Sequence, residues 1–99
     1  AMTNAICEHF HIAASHPALP GHFPGDPIVP GVVLLEHVVA TVECTFAANV
    51  AGLPQVKFLH PLRAEEIAEL RIERSGAGAK FSIARGQELI ASGTLELAS

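Results

Sequence analysis

Two side chains in the first third of the chain have the types and surroundings to do chemistry. His22 stands at the head of "HFPGDPIVPG", and the stretch Gly21–Gly31 holds three prolines and three glycines. Glu36 follows fourteen positions after His22, inside the apolar run "GVVLLEHVVATV". A neutral imidazole can take a proton near pH 7. A carboxyl among apolar neighbours stays protonated because burying its charge is costly, so it can give a proton. Taken singly, each has a plainer explanation: a histidine in such a loop is usually structural, and a buried glutamate is usually paired or capping.

These two residues need a stiff turn and a helix to hold them. His16–Pro30 contains five prolines and two glycines, so it reads as loop, since proline removes a backbone donor and fixes φ. Pro30 and Gly31 then open a helix. The pattern predicts that it runs to about Ala51, with Gly52 and Pro54 as the stop. Apolar residues lie almost all round it, as expected of a buried helix. Glu36, Ala40, Glu43 and Ala47 share one of its faces. The free N–H groups at its start, near Gly31 and Val32, are natural donors to a developing negative charge, and Gly31 lets a ligand approach the backbone closely.

Strands account for the rest. Ile6–Ala13 and Gln55–Leu62 read as strands. Ala68–Arg74 alternates, with Ala68, Leu70 and Ile72 facing one way. "SGAGA" (Ser75–Ala79) is a turn, and Lys80–Arg85 returns with Phe81 and Ile83 inward. After a second turn at Arg85–Gln87, Leu89, Ala91, Gly93, Leu95 and Leu97 mark one side of a long strand. The plan is α+β: a curled antiparallel sheet of about five strands around one long buried helix, in a single domain over residues 1–99. Whatever the sheet leaves uncovered must meet a second subunit.

Composition removes several classes. The 99 residues are 49% apolar and 16% charged, with net charge −4. That is globular and rather greasy for a monomer. No basic stripe exists for nucleic acid, and Tyr and Trp are absent. Gly31–Val50 is long enough to span a membrane, but Glu36, His37, Glu43 and Asn49 would be costly in lipid. Cys7 and Cys44 form no CxxC pair and read as small core residues in a reduced, cytoplasmic protein without a signal peptide.

The segment "HFPGDPIVPGVVLLE" resembles the signature of the β-hydroxyacyl-acyl-carrier-protein dehydratases, a hotdog-fold family, including the spacing between histidine and acid. "VKFLHPLRAEE" (Val56–Glu66) and "FSIARGQELIASGTLEL" (Phe81–Leu97) resemble the strands that follow the helix in that family. The resemblance implies dehydration of (3R)-3-hydroxyacyl thioesters to trans-2-enoyl thioesters on an acyl carrier protein, without metal or redox cofactor. His22 would remove the proton beside the carbonyl, and Glu36 would protonate the departing hydroxyl. Gly31 and Val32 N–H groups would hold the thioester oxygen. It also implies a dimer, homomeric or with another hotdog subunit, in which His22 and Glu36 come from different subunits.

The sequence departs from the family at Ala40, where a Gln is common, and at His37, where a small residue is usual. It is shorter than the housekeeping enzymes and has no Tyr to gate an acyl tunnel, which points to a specialised pathway such as polyketide or aryl-polyene synthesis. Arg63 and Lys57 are candidate contacts for the acidic carrier or its phosphopantetheine. His9, His11 and Cys7 lack a fourth zinc ligand at a familiar spacing. Glu43 is expected to make an ion pair or reach an interface. Two other functions fit the fold: a hotdog thioesterase using Glu36, or a silent hotdog subunit that binds acyl carriers or completes a heterodimer.

Overall fold

The computed structural model describes residues 5–12 and 28–98. Its elements run β1 (Ala5–Phe10), α1 (Gly31–Phe46), β2 (Asn49–Phe58), β3 (Ala68–Ser75), β4 (Gly78–Arg85) and β5 (Glu88–Ala98). The strands form one antiparallel sheet in the order β1-β3-β4-β5-β2, so β1 and β2 are its edges. This is the hotdog arrangement, a curled sheet with one helix against its inner face. Val33, Leu34, Val38 and Val42 of α1 are buried against Leu70, Ile72, Phe81, Ile83, Ala91 and Leu95 of the sheet, as strand alternation dictates.

Boundaries and register differ from the sequence expectation: β1 ends at Phe10 and β2 at Phe58, short of Ala13 and Leu62. The helix stops at Phe46 because Ala47 takes a left-handed conformation (φ 52°). Glu43 then accepts the Val50 N–H at 3.0 Å, and Asn49 and Val50 pair with Ala98 and Leu97 of β5. Gly52 and Pro54 therefore lie inside β2. The strand tolerates them because it is an edge and its register shifts there. In β5 a register shift beside Ile83 and Ala84 puts Ile90 in the core and leaves Leu89 37% exposed, against the expected inward Leu89.

The helix is not buried all round in the single chain. Val32 is 61% exposed, and Glu36, Ala40 and Cys44, spaced at four-residue intervals after it, are exposed too. Cys7 and Cys44 are both free and exposed rather than in the core, Cys7 because it falls on the outward side of β1. The one inward acid of β1, Glu8, meets α1: its Oε1 lies 3.1 Å from His37 Nε2 and accepts the Thr41 hydroxyl at 3.3 Å. No helix among the described residues is long and apolar enough to cross a membrane.

Candidate active site

The N-terminus of α1 opens into a pocket of about 430 Å³ lined by Val29, Gly31, Leu34 and the segment Phe58–Leu62. The chain entering the helix is tied down by Val29, whose N–H donates to Leu62 O at 2.8 Å, and by a bridge between Ile28 and Arg63. On the far wall, Leu59 and His60 donate their N–H groups to Ile90 O at 2.8 and 3.2 Å. The shift in β5 that buries Ile90 thus also anchors the pocket wall. Arg85 braces the following turn by donating to Pro61 O at 3.2 Å and to Glu66 Oε1 at 2.7 Å.

Pro30 caps the helix without a side-chain bond, and its carbonyl accepts the N–H groups of Val33 and Leu34. The Gly31 and Val32 N–H groups find no acceptor among the described residues. No acidic residue stands in the first turn, so the positive end of the helix dipole has no carboxylate of its own turn to offset it. The pocket therefore joins apolar walls to the backbone donor of Gly31, with that of Val32 next to it in the chain. That combination suits a carbonyl carrying an apolar chain, whose oxygen gains charge during reaction.

Glu36 stands in the second turn on the exposed stripe with Val32, outside this pocket's lining. Its expected burial among its own helix neighbours is not met in the single chain, because the sheet covers only the opposite side of α1. His22 lies outside the described residues, as does most of the loop from His16 to Pro30. Lys57 is exposed on β2 and lines a different, larger concavity of about 780 Å³ on the outer face of the sheet, with Arg71 and Lys80. That concavity contains neither Gly31 nor Glu36. Arg63 does not line it; it sits at the turn beyond Leu62, where its N–H donates to Glu66 Oε1 at 2.8 Å. Among the described residues no group of three or more His, Cys, Asp or Glu is placed to hold a metal.

Two features of the site region were not legible beforehand. His37 stacks on Phe10, with ring centroids 4.3 Å apart, while bonding Glu8. Its departure from the usual small residue thus has a structural partner on β1. Phe58 was an unremarked strand residue; in the structure the tip of its ring rests on Gly31, and a Cβ there would lie 2.7 Å from Cζ. Only a clash with the missing side chain reveals this contact, and no spacing in the sequence signals it.

The family described as ApeI-like, ApeI dehydratase, matches residues 2–94. The chain is 32% identical over 102 residues to the 3-hydroxyacyl-acyl-carrier-protein dehydratase FabZ of Symbiobacterium thermophilum, covering 89% of this chain and 72% of that protein. It is 27% identical over 101 residues to the FabZ of Chlamydia trachomatis serovar L2, covering 91% of this chain and 66% of that protein. Among solved structures it is similar to the dehydratase heterocomplex ApeI:P from Xenorhabdus doucetiae, with TM-score 0.87, 20% identity, and coverage of 99% of this chain and 90% of that one. The fold is shared as well with the β-alanyl-CoA:ammonia lyase of Clostridium propionicum, at TM-score 0.75 and 16% identity, over 99% of this chain and 87% of that one. With the fold, the apolar pocket and the matched span in agreement, the chain belongs to the ApeI-like dehydratase family.

Proposed function

We propose that this chain dehydrates (3R)-3-hydroxyacyl thioesters carried by an acyl carrier protein, giving the trans-2-enoyl thioester and water, in polyene or fatty-acid synthesis. The observation that carries this is the apolar pocket at the start of the helix, where the N–H groups of Gly31 and Val32 find no acceptor among the described residues. The thioester oxygen would sit on those donors, which strengthen their hold as the carbonyl becomes enolate-like. His22 would take the proton from C2. Electrons from that C–H bond form the C2–C3 double bond, the C3–O bond breaks, and Glu36 gives its proton to the departing hydroxyl. The proton gained by His22 then returns to Glu36 or to solvent, restoring both groups.

The exposed stripe of Val32, Glu36, Ala40 and Cys44 supports a second hotdog subunit, identical or not, lying along α1. Covering that stripe would take Glu36 out of water, the environment an acid needs to stay protonated. It would also let His22 of one subunit serve Glu36 of the other. Lys57 and Arg63 remain proposed contacts for the carrier and its phosphopantetheine arm. A cytoplasmic setting fits a carrier-borne substrate.

Mass spectrometry of a 3-hydroxyacyl carrier-protein thioester incubated with the protein tests this reading. Loss of one water with the thioester intact is expected. Release of free carrier thiol would indicate a thioesterase instead. No change, from a folded assembly, would indicate a subunit that needs a catalytic partner.

A further inference from the structure

We infer that Phe58 is a movable gate over the oxyanion donors at Gly31, an inference that rests on the dehydratase reading of the pocket. A Cβ on Gly31 would lie 2.7 Å from Phe58 Cζ, 2.9 Å from Cε1 and 3.2 Å from Cε2. The ring therefore points its tip at the first residue of the helix, inside the pocket that both residues line. A side chain at position 31 would have to push the tip of the ring aside.

The ring has the freedom of a gate rather than the fixity of a wall. Phe58 is 52% exposed, whereas the core rings Phe10 and Phe81 are 9% and 3% exposed. Its backbone is nonetheless held: Phe58 pairs with Ala91, and the next two N–H groups both bond Ile90 O. A fixed main chain bearing a half-solvated ring leaves rotation about the side-chain bonds as the available movement. In the resting position the ring shields the helix N-terminus. A bound thioester displaces it.

A site that is open only part of the time binds more weakly by that fraction. Phe58→Ala should therefore lower KM by about three- to tenfold, as for a site open roughly a third to a tenth of the time. Phe58→Trp should raise KM. The direct test incorporates 4-fluorophenylalanine and assigns the Phe58 fluorine signal with Phe58→Leu. A 3-hydroxyacyl-pantetheine amide, which keeps the carbonyl but has a far less acidic C2 proton than the thioester, should shift that signal saturably, and Gly31→Ala should shift it without ligand. A Phe58 signal that stays still while calorimetry shows the probe binding overturns the gate, as does Phe58→Ala raising KM or leaving it unchanged. Normal dehydration with such a result removes the gate alone. Ring displacement by the probe in a protein that dehydrates nothing keeps the gate and removes the dehydratase reading, and a wild type that binds no probe removes the gate outright.

Discussion

His37 and Glu8 meet at 3.1 Å, Nε2 to Oε1, and fasten the second turn of α1 to the edge strand β1. His37 also stacks on Phe10, so one side chain is held by a hydrogen-bond partner and an aromatic ring of the same strand. Because neighbouring helix positions diverge by about 100°, tying His37 inward helps turn Glu36 outward, onto the stripe it shares with Val32. Both partners are partly exposed, so the pair contributes modestly. His37→Ala should lower stability by about 1 kcal/mol, combining a lost contact and a lost stack. A double-mutant cycle with Glu8→Ala, read by denaturant unfolding, should give a coupling of roughly 0.5 kcal/mol.

Gly93 has the closest approach of the described glycines. A Cβ there would lie 2.4 Å from the Gln55 carbonyl oxygen and 2.7 Å from Phe81 Cε1. Backbone cannot step aside as a side-chain tip can, so Gly93→Ala must part β5 from β2 or displace the Phe81 ring. Thermal and denaturant unfolding should show a loss of about 1–3 kcal/mol, the usual cost of overpacking. Gly76→Ala is a useful contrast: nothing lies within 4 Å of its Cβ position, and its cost would come from the positive φ of 60° alone.

Glu66 makes folding sensitive to acid. The Arg63 N–H donates to its carboxylate and the Arg85 guanidinium stands beside it, together holding the carboxyl below its ordinary 4.5. A carboxyl lowered in the folded state stabilises it fully above the unfolded pKa and loses that contribution as pH falls through the folded value. Glu66→Gln should therefore be less stable than wild type near neutrality, and the difference should shrink below pH 4.5. Unfolding midpoints measured from pH 7 downward check the sign. A gap that widens on acidification would contradict it.

The alternating strands were readable because one side of each packs on the helix. Leu70, Ile72, Phe81 and Ile83 are buried as their spacing predicts. What sequence hid was carried by particular backbone events. Ala47 ends α1 in a conformation that usually calls for glycine, while the real glycine, Gly52, lies within a strand. The register shift in β5 reverses Leu89 and Ile90, and alternation alone cannot reveal an extra residue. Glu36 looked buried because its neighbours are apolar. One chain covers only half of such a helix, so the burial of the other half is a property of an assembly rather than of local sequence. The start of the helix at Gly31 was legible from the Pro-Gly pair; the Phe58 ring resting on Gly31 was not.

His22 and Glu36 acting as one acid–base pair is tested most directly by single-turnover dehydration of a 3-hydroxyacyl carrier-protein thioester by wild type, His22→Ala and Glu36→Gln, each checked for folding and assembly. Both substitutions should slow water loss by roughly 10²–10⁴-fold, the range for a lost general acid or base. Wild-type-like dehydration by either variant in a correctly assembled protein would contradict the pairing and place the proton transfers on other groups.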